Sequence, residues 1–282
     1  MASLKAIKRR IASVRNTQQI MKAMNLVATS KLQRSKTRME GVRPLFASAQ
    51  AFFETGCAVG AEAASHFFAT PSRTGRTAYI IIAGERGLCG SYNANVQKEA
   101  LAHMEGRREN SEKIFALGAK ARDFFTRRDK NVVESITNLE KAAFADIAPL
   151  ARQLAALYTS GQVDEIFVVY TRFESILSHV ATVQRLLPLP APSQGTAQTE
   201  TTYEPSPAAY FRHAVPEYLS LFLYGAVVEA AACGQAARMT SMDAASRNAG
   251  EILDKLTLEY NRKRQSAITQ EISEIVGGAN AL

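Results

Sequence analysis

After Pro216 the chain has no proline, and it has none before Pro44. Both ends are therefore free to form helices far longer than the ~11–12-residue average. Near the N-terminus apolar residues recur at Leu4, Ile7, Ile11, Val14, Met21, Ala28 and Leu32. The steps alternate between threes and fours once Gln18 and Asn25 take two places in the same stripe, which is a heptad-like seam. The first glycine is Gly41, and the pattern predicts a helix from about Ser3 to about Glu40. Polar residues in such a seam weaken packing but fix register. At the other end Met242, Ala245, Ala249, Ile252, Leu256 and Tyr260 share one side of a helix, and Ile268, Ile272 and Ile275 continue at helical spacing. Gly277-Gly278 reads as the stop. A helix from about Glu217 to Val276 would be roughly 90 Å long at ~1.5 Å per residue. That exceeds the width of a domain this size, so part of it should project from the body. Each stripe is narrow and needs a partner. Pairing the two as an intramolecular coiled coil is the economical solution; a compact helical bundle is the alternative.

Charge is concentrated at the same end. The 282 residues carry a formal +8, yet residues 1–40 alone hold ten lysines and arginines against Glu40. The remainder is close to neutral. Such a stripe can bind nucleic acid, lie on an anionic membrane or face an acidic protein surface. No Phe, Tyr or Trp precedes Phe46, so a single-strand stacking platform is missing there. The longest apolar run, Tyr218 to Val228, is short of the ~20 residues a membrane span needs. With 46% hydrophobic and 21% charged residues, wholesale disorder is excluded. Cys57, Cys89 and Cys233 are odd in number and far apart, which supports neither a disulfide framework nor a cysteine-rich zinc site.

The middle of the chain reads as α/β. Residues 77–83, 112–117, 131–136, 165–171 and 179–187 have strand character, and helical stretches fall at about 92–106, 118–128 and 143–159. Strands alternating with helices indicate a mostly parallel sheet covered by helices. The segment from Pro188, rich in Pro, Thr and Ser, reads as a long connection. The resulting division is 1–55 for the N-terminal helix, 74–190 for the α/β domain, 191–206 for the connection and 207–282 for the C-terminal helix.

Catalytic motifs are missing. The loop AGERGLCGSYN places Gly84, Gly87 and Gly90 after the first strand, spaced GxxGxxG. This is neither the dinucleotide fingerprint GxGxxG nor a P-loop. Cys89 has no activating neighbour in sequence, so an inert thiol is the expectation. His66, His103, His179 and His213 are scattered, without HExxH or any clustered ligand spacing, and Asp164 and Glu165 have no second acid placed beside them. The reading is no catalytic residue, no cofactor and no metal. A nucleotide-binding enzyme built on Gly84–Gly90 and a nucleic-acid binder built on residues 1–40 are the alternatives.

Three stretches resemble one family. IKRRIASVRNTQQIMKAMNLVATSKLQRSK (7–36), GERGLCGSYNANV (84–96) and QAARMTSMDAASRNAGEILDKLTLEYNRKRQSAITQEISEIVGGA (235–279) are similar to the gamma subunit of the rotary F-type ATP synthase, with LLPLP (186–190) as a further landmark. The landmarks occur in the family's order from end to end. The resemblance implies an antiparallel coiled-coil shaft from both termini and a Rossmann-like domain that binds no dinucleotide. It implies a shaft turning inside a ring of three alpha and three beta subunits, with the delta and epsilon subunits and the membrane c-ring as further partners. It implies torque transmission without catalysis, for ATP synthesis or, in reverse, ATP-driven proton pumping. By the same resemblance Met24 matches a position important for coupling efficiency. Arg238, Gln265, Thr269 and Glu271 match positions of helix–helix contact and contact with a beta-subunit loop, and Arg264 neighbours them. Lys8, Arg9, Arg10 and Arg34 are partners for an acidic beta-subunit loop. Glu85 stands where the family commonly has Asp, and Ser91-Tyr92 vary the loop. The photosynthetic version's regulatory cysteine insertion is absent. The opening directly on the shaft helix implies a bacterial-type protein on the cytoplasmic face of the inner membrane, without membrane insertion or nucleic-acid binding.

Overall fold

A computed structural model describes residues 4–51, 65–68, 75–105, 112–189, 203–204 and 206–279. Cys57 and nearly all of the connection 191–206 lie outside them. By internal contacts the chain divides into two units, Met1–Thr29 with Arg238–Leu282, and Ser30–Ala237.

Two long helices, α1 (Leu4–Ala51) and α5 (Pro207–Ala279), contribute to both units. α1 passes the expected stop at Glu40 and includes Pro44. The reason is tertiary: Met39 is buried among α5 residues Val228 and Ala232, and Phe46 meets Phe222 edge-on with ring centroids 5.0 Å apart. Packing of this kind overrides a local breaker. α5 likewise starts ten residues before the expected Glu217. Ser206 caps it, its Oγ accepting from Ala209 N–H at 3.3 Å, and Pro207 takes the first helical position, where a missing N–H costs nothing. Pro216 is carried within the helix, and its carbonyl accepts from the Ser220 hydroxyl at 2.7 Å. Gly277-Gly278 does not end the helix either; both are helical, and Gly277 is not in the left-handed conformation of a terminating glycine.

The unit Ser30–Ala237 is built on a five-stranded sheet of β1 (Thr77–Ile82), β2 (Glu112–Leu117), β3 (Val132–Ile136), β4 (Glu165–Phe173) and β5 (His179–Leu187). The spatial order is β3-β2-β1-β4-β5, parallel throughout except for β5, which returns antiparallel beside β4. Between the strands come α2 (Tyr92–Glu105), α3 (Ala119–Thr126) and α4 (Phe144–Thr159). Every residue of β1 is buried, because both sheet faces are covered. Alternation sends Ala78, Ile80 and Ile82 to one face and Tyr79, Ile81 and Ala83 to the other. The first face packs on α4 and α5; the second packs on α2 and α3. From α5 come Phe211, Val215, Leu219, Phe222, Ala226 and Ala230, spaced by threes and fours on one face. By composition α5 contains a window apolar enough to cross a membrane, but most of that window is buried inside the protein. It is a core helix of this sheet.

Candidate functional site

In the unit Met1–Thr29 with Arg238–Leu282 the two helices meet along a seam. On α1 the more sheltered positions are Ile7, Ile11, Val14, Gln18, Met21, Asn25 and Ala28, which step by fours and threes throughout. On α5 the matching set is Met242, Ser246, Ala249, Leu253, Leu256 and Tyr260. The expected C-terminal stripe is corrected at several places: Ile268, Ile272 and Ile275, which continue it in sequence, are 47%, 56% and 71% exposed. Ser246, 9% exposed, lies in the seam instead of Ala245, and Leu253 does so instead of Ile252, which is 44% exposed. Gln18 reaches across the seam at this point: its Nε2 donates to the Ser246 carbonyl at 3.1 Å. Asn25 Nδ2 donates to the Met239 carbonyl at 2.9 Å. Seven residues forward on α1 correspond to seven backward on α5, so the pair is antiparallel and in heptad register. Gly250 serves the same approach, since a Cβ there would lie 3.3 Å from Gln18 Nε2.

The outer faces of this pair carry the sequence-derived contact residues. Lys8, Arg9, Arg10, Arg264, Gln265, Thr269 and Glu271 are exposed, and Met24 and Arg238 are half-buried beside the seam. Arg34, in the other unit, is exposed too. The structure therefore distributes these residues along the helices; it does not gather them into a pocket. Ile20, Leu26 and Val27 are more than half exposed, as are Leu258, Ile272, Ile275 and Val276. Ile20, Leu26, Val27 and Leu258 were not singled out from the sequence. The signal was available: a two-residue-per-heptad seam leaves every other apolar residue outside it.

Within the unit Ser30–Ala237 a set of polar contacts fastens the sheet to α1 and α5. The short turn Leu139–Lys141 carries Glu140, whose carboxylate accepts from Lys31 Nζ of α1 at 2.6 Å and from Gln235 Nε2 of α5 at 2.8 Å. Arg38 of α1 donates to the Ala142 carbonyl and, at 2.9 Å, to the Tyr224 hydroxyl of α5, with its guanidinium 5.2 Å from the Tyr224 ring centroid. Tyr92, at the start of α2, donates its hydroxyl to the Ala230 carbonyl at 2.8 Å. Glu229 of α5 accepts from Phe173 N–H of β4 at 2.8 Å. Apart from Tyr92, which was noted only as a variation of the loop, none of these residues was singled out from sequence, because each partner lies about 50 or more residues away.

The glycine-rich loop after β1 has the location at which doubly wound folds hold phosphate, beside the β1–β4 switch point. Its donors serve the protein. Gly84 N–H is bound by Asn93 Oδ1 at 2.8 Å, and Tyr92 N–H by the Cys89 carbonyl at 3.2 Å. The N-terminus of α3, a natural anion site, is taken by Glu85, whose Oε2 accepts from Ala119 N–H at 3.2 Å. Its Oε1 accepts from Leu139 N–H at 3.0 Å, so one carboxylate ties the loop to α3 and to the turn bearing Glu140. Gly118 is obligatory behind it: φ is +96°, and a Cβ would run into the Ala83 carbonyl. Cys89 is buried with Tyr92, Cys233 and Ala237, and burial pushes the Cys233 thiol far above the usual range, which keeps it a thiol. No metal-ligating group of three acidic, His or Cys side chains occurs among the described residues.

A mostly parallel α/β sheet fastened to two long helices defines the class of fold. Comparison with known sequences supplies the family. The family model described as ATP synthase matches residues 3–282. The ATP synthase gamma chain of Desulforamulus reducens is 41% identical over 285 residues, and that of Halothermothrix orenii 39% over 288, each covering 100% of both chains. Among solved structures, a chain of the central stalk and c-ring of the Tetrahymena thermophila mitochondrial ATP synthase is 25% identical. It aligns with a TM-score of 0.62 over 80% of this chain and 99% of that one. The chain belongs to the ATP synthase gamma-chain family.

Proposed function

We propose that this chain is the central rotor shaft of an F-type ATP synthase and that it makes no bond itself. The antiparallel terminal helices enter a ring of three alpha and three beta subunits. The sheet unit contacts epsilon and the membrane c-ring, and delta completes the same complex. Ion flow turns the c-ring and this chain together. An asymmetric shaft then presents a different face to each beta subunit, so their sites cycle through different affinities for ADP, phosphate and ATP; ATP hydrolysis drives the cycle backwards. Lys8, Arg9, Arg10 and Arg34 attract an acidic beta-subunit loop without fixing one pose, a steering role suited to a sliding surface. Met24, Arg238, Arg264, Gln265, Thr269 and Glu271 lie where they tune contact and coupling. The complex sits at the cytoplasmic face of the bacterial inner membrane, and this chain is peripheral there.

The observation that carries this reading is the in-register pairing of the two ends of one chain through Gln18–Ser246 and Asn25–Met239. It supports a two-stranded shaft as the product of folding. Reconstitution tests it: this chain is mixed with the alpha and beta subunits of its own species, complexes are separated by size, and ATP hydrolysis is assayed. A complex holding one copy of this chain with cooperative Mg²⁺-dependent hydrolysis is expected. Elution of this chain alone, with partners shown competent, would refute the role.

A further inference from the structure

The unit Ser30–Ala237 contains a cavity of about 700 Å³ that the shaft role does not use. This is within the ~300–1,000 Å³ range of small-molecule sites. Its walls come from α1 at Met39–Phe46, from α5 at Phe222–Glu229 and from the β4–β5 pair. Phe46, Phe173, Phe222 and Val228 give it an apolar surface. Two opposite charges on different helices also line it, Arg43 and Glu229.

Neither charge is fully matched among the described residues. Glu229 Oε1 accepts from Phe173 N–H at 2.8 Å, whereas Oε2 accepts no hydrogen bond among the described residues. Arg43 acts on Glu229 through its field but makes no ion pair or hydrogen bond among the described residues. The neighbouring Arg172 is taken up by Glu174 at 3.4 Å. Burial pushes the Glu229 carboxyl up; the Phe173 N–H, Arg43 and Arg172 pull it back. A sheltered carboxylate oxygen and a guanidinium, both with open hydrogen-bonding capacity beside aromatic rings, favour a ligand that satisfies both at once.

We infer that this cavity binds a small zwitterion with an apolar body. Its ammonium bonds Glu229, its carboxylate bonds Arg43, and its apolar body lies against Phe46 and Phe222. A simple amine would leave Arg43 unmatched, and a simple acid would leave Glu229 unmatched. Binding is reversible and involves no covalent step.

Calorimetric titration of the full chain with L-phenylalanine, phenethylamine and 3-phenylpropionate tests this. Saturable binding of L-phenylalanine is expected, with each one-armed probe about tenfold weaker or worse. Glu229→Gln, which keeps a carbonyl oxygen for Phe173 N–H, should erase the advantage of L-phenylalanine over 3-phenylpropionate. Arg43→Gln should erase its advantage over phenethylamine, and Arg43→Lys should retain it. Arg43 is exposed, so its variants stay folded and keep the test valid if Glu229→Gln does not fold. No saturation by any probe at millimolar concentration overturns the proposal. So does equal binding of all three, or a ranking that the Arg43 substitutions leave unchanged.

Discussion

Asn25 Nδ2 donates to the main-chain carbonyl of Met239 at 2.9 Å, which places a polar side chain in an apolar seam and gives it one partner. That bond ties a particular residue of α1 to a particular residue of α5. Asn25→Ala should lower stability by ~1 kcal/mol, read from denaturant unfolding. Asn25→Leu should raise the unfolding midpoint but relax the register. Spin labels at the exposed positions Gln19 and Asn248 report it: one distance in the natural protein, more than one in the Leu variant.

Glu85 bridges two backbone donors, Ala119 N–H at 3.2 Å and Leu139 N–H at 3.0 Å. Truncation removes both charge-assisted bonds and the anion at the start of α3. Glu85→Ala should cost about 2–4 kcal/mol. Glu85→Asp shortens the reach by one methylene and should fall between the two. Chemical denaturation ranks the three proteins.

Glu140 separates a strong contact from a weak one. The Lys31 side chain is 41% exposed, so its ion pair at 2.6 Å is worth only ~0.2–1 kcal/mol. Gln235 is buried at 3% exposure and bonds the same carboxylate at 2.8 Å. Lys31→Ala should therefore be nearly silent, within about 1 kcal/mol. Glu140→Ala should cost about 1–3 kcal/mol. Equal losses in the two variants would contradict this ordering.

The alkaline limit follows from two phenols. Burial, aided by Asp164 at Tyr158 and by Glu229 at Tyr170, pushes both from the ordinary 10.0 up to about 12. A raised folded pKa means the native state keeps a proton that the unfolded chain has lost. The stability is whole below pH 10 and is lost as pH rises from there through 12. Denaturant midpoints measured across that window should fall, and Tyr170→Phe should flatten the slope.

What was legible in the sequence follows from the range of the forces involved. The seam Ile7, Ile11, Val14, Gln18, Met21 and Asn25 is periodic, and periodicity is visible locally; the short apolar run at 77–83 likewise read as a strand, although which face each of its residues takes did not. Helix ends were less legible. Pro44 and Pro216 read as breakers, but Phe46 against Phe222 and the burial of Phe211 and Val215 carry the helices past them. Ser246 was overlooked because its place in the seam comes from Gln18 on the other helix. Glu140 and Glu229 carry no local signature, and Glu85 was noted only as a variation of the loop, since each acts on partners that only folding brings near.

The central claim is that this chain turns. A probe fixed to an exposed residue of its sheet unit, such as Leu177 at the β4–β5 hairpin tip, 82% exposed, can be followed in single immobilised complexes with alpha and beta subunits. The account predicts stepwise rotation in one direction that starts with ATP and stops without it. Steady ATP hydrolysis by such complexes with a stationary or randomly fluctuating probe would contradict it.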